Sequence, residues 1–341
     1  MTIAWDTIEG AHQLLFQAAL RPVQGTRFQP TGFPDLGPAT YELSQGGMVR
    51  NMLLVESAQS MANRLEAVCW DEGREDVVTA LQGLPYVRVK LWDSGRSTSS
   101  LLEAHRLNSI YITSDASFLE ELRRRAAVPE RGKKPANESG SEEDTAGVGP
   151  IDLRAVARAV FHYDPCSILH GIFLEKLDGR VRLQRTLSGF IEAADVGIAP
   201  SGGVKNDRVA AAGFGAGFKA EQGYGNVPFH RTEFTANAIT AYFSLDVAQI
   251  RAYGLGDAAE RLLTVLALWK VARLLESGLR LRTACDLEVD GGLHVSRPAG
   301  FSMPAVADLE RELPGLISEC ANLGLFAIPP VTELVFNKPK K

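Results

Sequence analysis

The sequence predicts an α+β fold of the ferredoxin-like kind, in which strands lead directly into helices. The apolar strand Met48–Val55 runs into a helix over Glu56–Trp70, whose apolar residues have helical spacing. The segment Ile239–Asp246 alternates apolar and polar residues, which indicates a strand with one buried face. A long helix begins at Asp257 and ends before Gly278.

Composition indicates a folded chain with no global nucleic-acid signature. The chain has 341 residues, 45% of them hydrophobic, and a formal net charge of −5. That length suits one large domain or two smaller ones, and any binding of a polyanion must come from local clusters of Lys and Arg. The N-terminus lacks the regions of a signal peptide and no apolar segment reaches the roughly 20 residues of a membrane span, so we expect a soluble cytoplasmic protein. Four scattered cysteines predict reduced, packed thiols rather than disulfides or a zinc site: Cys69, Cys166, Cys285 and Cys320.

Other segments have the patterns of regular elements. Further helices are predicted at Ala4–Leu20, at Ser117–Val128, from the cap Asp152 to Phe161, and near the C-terminus with an interruption at Pro314. A half-exposed strand is predicted at Tyr86–Trp92. Two Asp-Gly sequences predict hairpins, one joining Ile168–Leu177 to Arg180–Leu187 and one joining Leu287–Val289 to Leu293–Val295.

Three segments are predicted to be irregular. Pro129–Pro150 has almost no large apolar residue and cannot offset its ordering entropy, so we predict a disordered insert. Ala199–Gly225 is rich in Gly and Ala and is predicted to be a long mobile loop, a feature that is often functional. The polar segment Gly223–Glu233 is predicted to continue as a loop.

Motifs for catalysis are weak. Gly-Phe-Gly-Ala-Gly-Phe at 213–218 has Phe218 in place of the third glycine of a dinucleotide loop, and a flexible glycine loop explains it better. The chain has no G-K-[ST] phosphate loop and no H-E-x-x-H metal helix. His105 and His230 have polar neighbours and, with a lysine, could cleave RNA by acid–base chemistry. Hydrogen bonds to a backbone carbonyl or a phosphate explain both histidines better.

Arginines recur on predicted strand faces and in glycine loops. Arg180 and Arg182 share one face, as do Arg280 and Arg282, and either pair could simply be solvated. Together with the basic residues of the loops (Lys205, Arg208 and Arg231), they favour contact with phosphates. Tyr242 on a polar strand face could stack on a base or pack under a loop.

Four long strings resemble one known family. They are Phe28–Pro38 (FQPTGFPDLGP), Leu54–Glu66 (LVESAQSMANRLE), Asn226–Phe234 (NVPFHRTEF) and Gly278–Cys285 (GLRLRTAC). They resemble the CRISPR-associated RAMP superfamily, specifically the backbone subunit ("Cas seven" group) of the type I-G, formerly I-U, Cascade complex. The resemblance extends from about Arg27 to Leu287.

The resemblance implies a single RAMP-type domain over residues 1–341, a modified RNA-recognition-motif palm with inserted finger and thumb loops and extra helices. It implies a non-catalytic subunit without cofactor or metal. Its partners would be the CRISPR RNA (crRNA), the target DNA through the guide, other copies of itself in a helical filament, and the other Cascade subunits. Those subunits are a fused processing endonuclease, a large subunit and a helicase-nuclease.

Charge and membership of these strings together select the expected RNA contacts: Arg27, Arg64, His105, Arg106, Lys205, Arg208, Asn226, His230, Arg231, Arg280 and Arg282. The loop Ala199–Gly225 is the candidate thumb. An alternative is a RAMP-type endoribonuclease acting on CRISPR or target RNA through His105, His230 or Asp207. A third possibility is a purely protein-bridging scaffold.

Overall fold

A computed structural model describes residues 3–33, 35–92, 95–129, 149–205 and 227–337. Within these ranges the helices are α1 (Trp5–Glu9), α2 (Ala58–Ala67), α3 (Ile110–Thr113), α4 (Ala116–Arg125), α5 (Leu153–Tyr163), α6 (Pro165–His170), α7 (Val247–Ala252), α8 (Asp257–Glu276) and α9 (Val306–Asn322). The strands are β1 (Gln13–Pro22), β2 (Gly32–Phe33), β3 (Gly37–Pro38), β4 (Thr40–Gln45), β5 (Met48–Glu56), β6 (Trp70–Asp71), β7 (Asp76–Val77), β8 (Tyr86–Leu91), β9 (Ser97–Ser99), β10 (Ile172–Phe173), β11 (Arg182–Leu183), β12 (Leu187–Ala194), β13 (Gly197–Lys205), β14 (Val227–Thr235), β15 (Ala238–Asp246), β16 (Leu279–Arg282), β17 (Cys285–Arg297) and β18 (Val331–Phe336). None of these helices is long and apolar enough to cross a membrane.

Seven strands form one antiparallel sheet in the order β16–β17–β1–β15–β12–β5–β4. Its inner strands β17, β1, β15 and β12 have the order and directions of a ferredoxin-like unit, with helices between β1 and β12 and again between β15 and β17. The predicted α+β class, a ferredoxin-like palm with insertions and extra helices, is confirmed.

One face of the sheet packs against helices. Along β15, Ile239, Ala241, Phe243 and Leu245 are buried and the residues between them are half-buried. The helix α8 contacts β15, α2, α6 and α9, and most of its residues are buried. Because burying a Leu or Phe side chain stabilises a fold by about 1.5–3 kcal/mol, the period of two along β15 decides which face of the strand meets the helices.

Several predicted elements are confirmed. β5 leads into α2 as expected, and Ser57 caps α2 by accepting a hydrogen bond from the backbone N–H of Ser60. Asp152 caps α5 in the same manner. The elements β8, α4, β15, α8 and β16 also match predicted elements.

The predicted helix Ala4–Leu20 is wrong. The chain forms the short helix α1 and then the strand β1, which pairs with both β15 and β17. Leu14, Phe16, Ala18 and Leu20 are buried at a spacing of two. The apolar residues of this segment also fit helical spacing, and pairing with two neighbouring strands decides between the two patterns.

The predicted hairpin at residues 287–295 is wrong. These residues belong to one continuous strand, β17, which pairs with β1. The register shifts between Ala18 and Leu20, opposite Leu293 and Val289. The Asp-Gly-Gly sequence between those two partners is therefore accommodated as a bulge in a long strand rather than as a turn.

The predicted hairpin at residues 168–187 is mostly wrong. Its first residues belong to α6, where Asp164 accepts hydrogen bonds from the backbone N–H groups of Cys166 and Ser167 and Pro165 stands in the first turn. Only the two-residue strands β10 and β11 pair. The alternation of apolar and polar residues from Ile168 onward does not reveal α6, because the cap of that helix, Asp164, precedes the alternating segment.

A two-stranded ribbon replaces much of the predicted loop. β13 and β14 pair antiparallel from Gly197 opposite Thr235 to Lys205 opposite Val227. The loop prediction is therefore wrong for residues 199–205 and 227–233. Large apolar side chains of the ribbon, including Ile198 and Phe229, are exposed, so no buried face imposed a hydrophobic alternation on its sequence. The rest of the predicted loop (206–226) and residues 130–148 of the predicted disordered insert lie outside the described residues.

Candidate nucleic-acid interface

Four arginines meet in a cleft of about 510 Å³, which we call the arginine cleft. They come from separate parts of the chain: Arg27 from the segment after β1, Arg231 from β14, and Arg280 and Arg282 from β16. Arg280 is exposed because the residues on either side of it in β16 are buried. Four of the predicted contact residues are thus brought together by the fold.

The carboxylate of Glu233 lies in the wall of the arginine cleft and the residue is only 3% exposed. Nη2 of Arg231 is 2.7 Å from one of its oxygens, and Nη1 of Arg27 is 3.5 Å from the other. Nε of Arg231 is buried and has no hydrogen-bond partner among the described residues. With Asp286 as the second carboxylate, the lining keeps a positive net charge that suits phosphate oxygens.

A second network of ion pairs lies beside the arginine cleft and shares Arg282 with it. Glu56 at the end of β5 is fully buried and accepts hydrogen bonds from Arg64 at 2.6 Å, from Arg282 and from Ser60. Because β5 and β16 lie near opposite ends of the sheet order, the network joins the two ends of a curled sheet. Burial lowers the pKa of both guanidinium groups. Arg64 and Arg282 are therefore engaged within the fold, whereas Arg27 and Arg280 offer exposed charge.

Arg106 does not line the arginine cleft; it is a buried residue in the lining of a second cleft. It is 5% exposed, and its Nε and Nη2 atoms lie 2.6 and 2.7 Å from the carboxylate of Glu66. Nη1 donates to the carbonyl oxygen of Gly171 at 3.2 Å. Burial raises the pKa of Glu66, and the hydrogen bonds from Arg106 oppose that rise. This placement corrects the expectation that Arg106 contacts RNA, because its donors are used inside the fold.

The other predicted contact residues are distributed around the molecule. His105, next to Arg106 in the chain, is exposed and lines a second cleft. His230 is exposed on β14, and the backbone of Lys205 pairs with that of Val227 at the end of the ribbon. Arg208 and Asn226 lie outside the described residues.

The two histidines considered for acid–base chemistry do not share a site. His105 lines the second cleft, and His230 lines neither that cleft nor the arginine cleft. Asp207 and the glycine motif at 213–218 lie outside the described residues. In the part of the chain that the structure describes, no group of three or more His, Cys, Asp or Glu side chains could hold a metal ion. The arrangement is suited to binding anions.

Sequence reasoning missed the acidic partners of these arginines. Glu56, Glu66 and Glu233 are each nearly or fully buried. Glu56 directly follows the apolar strand Met48–Val55, and a carboxylate in such a position is buried only when it is paired. The position of Glu56 directly after an apolar strand therefore predicts a buried, paired carboxylate. The arginine with which it pairs depends on the tertiary structure.

Known proteins resemble the chain at the level of sequence family and of structure. The family model for CRISPR-associated protein GSU0053 matches residues 14–198, more than half of the chain. No curated protein matches the sequence. A CRISPR RNA-guided surveillance complex, pre-nicking, contains a chain with a TM-score of 0.41 at 12% identity, covering 92% of this chain and 89% of that chain.

Two further solved structures show weaker similarity. Csc2 of Thermofilum pendens has a TM-score of 0.32 at 12% identity, covering 95% of this chain and 81% of that chain. Another CRISPR RNA-guided surveillance complex has a TM-score of 0.31 at 11% identity, with coverages of 91% and 84%. The family match runs from β1 to the start of β13. The chain belongs to the family of CRISPR-associated protein GSU0053.

Proposed function

We propose that the protein is a non-catalytic backbone subunit that binds the crRNA of a type I CRISPR surveillance complex, of the I-G subtype. The family match supports a role in a CRISPR system. The observation that carries the proposal is the arginine cleft, where guanidinium groups from three separate segments converge beside the buried Glu233.

Such a cleft suits a ribose-phosphate chain of any sequence. Arginines bind phosphates without reading bases, and in guided systems base pairing supplies the specificity. The chain as a whole has a net charge of −5, so attraction of RNA must come from local clusters of cations such as the arginine cleft.

In this proposal several copies assemble head to tail along the spacer of the crRNA in the cytoplasm. Contacts of that kind, which do not close into a ring, generate an open helical filament. The ribbon of β13 and β14 is assigned the role of the thumb, and the guide pairs with target DNA. Chemical steps belong to the partner Cascade subunits, namely the processing endonuclease, the large subunit and the helicase-nuclease.

The test is purification of the full chain with a CRISPR array expressed beside it. We expect a raised A260/A280 ratio and intact RNA of defined length that dissociates at high salt. Protein that is free of RNA and does not bind added guide at low salt would overturn the proposal. Cleavage of the guide that disappears in His230→Ala would instead favour an endoribonuclease.

A further inference from the structure

A second cleft, of about 990 Å³, lies between α2, the turn Arg106–Asn108, α3 and the strands β10 and β11. We call it the α2–α3 cleft. Of the residues predicted to bind RNA, only His105 is exposed in its lining. The lining also includes further cationic and aromatic side chains: Phe173, Lys176, Arg182 and Arg185.

Phe173 and Arg182 pack against each other in this cleft, with the guanidinium group over the ring. They stand directly opposite each other in the β10–β11 pair, and the guanidinium carbon lies 4.9 Å from the centroid of the ring. Phe173 is 41% exposed. An exposed ring beside a planar guanidinium is a surface on which nucleic-acid bases stack.

The cleft also holds positioned cations. Arg185 donates to the carbonyl oxygens of His170 at 3.2 Å and Ala58 at 2.9 Å, and to Oε1 of Gln59 at 2.9 Å. These three hydrogen bonds fix the plane of its guanidinium group. Lys176 adds an exposed ammonium group to the same lining.

The acidic residues of the lining do not cancel this charge. Glu103 accepts hydrogen bonds from the hydroxyl groups of Thr98 at 2.6 Å and Ser109 at 3.0 Å, so its oxygens are already engaged. Glu175 is the other carboxylate of the lining. Four cationic side chains belong to the same lining: Arg106, which is paired with Glu66, and Lys176, Arg182 and Arg185.

His170 adds a buried hydrogen-bond donor to the cleft lining. The residue is 1% exposed, and its Nε2 atom lies 3.0 Å from Nζ of Lys270. An ammonium group only donates, so Nε2 accepts and the neutral ring carries its proton on Nδ1. Burial, with Lys270 alongside, holds the pKa of His170 well below its usual value. Nδ1 is also buried and has no hydrogen-bond partner among the described residues.

We propose that the α2–α3 cleft binds one nucleotide of single-stranded RNA, with the base against Phe173 and Arg182. The inference rests on the proposed function, because it adds a second binding site for the same RNA. Arg64 of α2 belongs to the network beside the arginine cleft, whereas Gln59 of α2 lines the α2–α3 cleft. A strand that crosses α2 therefore reaches both clefts.

The test compares two fluorescent oligonucleotides of equal length, one of normal RNA and one containing abasic sites. Phe173→Ala is expected to weaken binding of the normal RNA about five- to hundredfold, the range for loss of one base–aromatic stack, and to leave binding of the abasic chain unchanged. Phe173→Tyr should restore the affinity. Leu323→Ala, which removes another exposed apolar side chain, is the matched control, and thermal melting checks that each variant folds.

The outcomes separate this inference from the proposed function. If Phe173→Ala binds both oligonucleotides as wild type does, or weakens both equally, the nucleotide assignment is wrong while RNA binding by the arginine cleft stands. Loss of self-association without loss of RNA affinity would assign the cleft to a neighbouring copy and would also overturn the inference. Failure of the wild-type protein to bind either oligonucleotide would contradict both the proposed function and the nucleotide site in the α2–α3 cleft.

Discussion

Arg231 is held against Glu233, with Nη2 of the arginine 2.7 Å from a carboxylate oxygen in a residue that is 3% exposed. A buried carboxylate is tolerated when it is paired, so the two side chains fix each other. Arg27 approaches the other oxygen less closely, at 3.5 Å. The arginine cleft is therefore partly organised before any ligand enters, which lowers the entropy that binding must overcome.

Glu233→Gln should strengthen binding of RNA. Glutamine keeps an acceptor oxygen for Arg231 but removes one negative charge from the cleft. At about 0.5–1 kcal/mol for one charge in a solvated site, single-stranded RNA should bind roughly two- to fivefold more tightly at low salt. Fluorescence anisotropy measures the Kd, and Glu276→Gln removes the same charge at the end of α8 as a control. Weaker binding by Glu233→Gln would mean that positioning of Arg231 outweighs the charge.

Glu56→Ala should destabilise the fold. Glu56 is fully buried and joins Arg64 to Arg282, so its removal leaves two half-buried cations without their carboxylate. We expect the free energy of unfolding in urea to fall by about 3–5 kcal/mol. The control Glu42→Ala, on the exposed edge strand β4, should stay within about 0.5 kcal/mol of wild type. Equal stability of the two variants would show that the network does not hold the ends of the sheet together.

Substitution of Arg106 by Ala should lower the stability of the fold, whereas substitution of its neighbour His105 by Ala should weaken RNA binding. Arg106→Ala breaks a buried ion pair and should lower the free energy of unfolding by about 3–5 kcal/mol, while RNA affinity of the folded fraction is unchanged. His105→Ala should leave stability within about 0.5 kcal/mol and weaken RNA binding, because the ring is exposed in the α2–α3 cleft. Urea denaturation measures the stability of both variants, and fluorescence anisotropy measures their affinity for RNA. A stable Arg106→Ala protein with impaired RNA binding would restore Arg106 as a contact residue.

Cys285 should be unreactive in the native protein. Burial raises the pKa of its thiol from 9.0 to about 11. Between those values the unfolded thiol ionises and the folded one does not, so this group favours unfolding as the pH rises through that window. At about pH 8 we expect iodoacetamide to label Cys285 only after denaturation in urea, as read by mass spectrometry of its peptide. Rapid labelling of the native protein would contradict the burial of this thiol.

The inner part of the fold could be predicted because burial of one face makes apolar residues recur at a fixed spacing in the sequence. The strand β15 buries alternate residues, and α8 is too apolar and too long to be anything but a core helix. The strand β1 was mistaken for a helix because its apolar residues fit both periods. The ribbon of β13 and β14 was missed because a two-stranded element outside the main sheet buries no continuous face.

The arginine cleft was predictable in its residue types but not in its partners. Their charge and their position in or next to the four strings predict Arg27, Arg231 and Arg280 as contact residues, and the fold brings them together. The same reasoning selected Arg106, whose partner Glu66 lies 40 residues away in sequence, and only the packing of α2 against the following turn reveals that pair.

The salt dependence of RNA binding tests the central claim most directly. Wild type is compared with two triple variants. The first changes the arginine cleft: Arg27→Ala, Arg231→Ala and Arg280→Ala. The second is a control with the same change in charge at exposed arginines of helices: Arg124→Ala, Arg273→Ala and Arg311→Ala. Each lost phosphate contact lowers the slope of log K against log salt by about 0.7 for a single strand, so the cleft variant should lose about two units of slope and the control none. Identical slopes and affinities for the cleft variant and the control would contradict the claim that RNA lies in the arginine cleft.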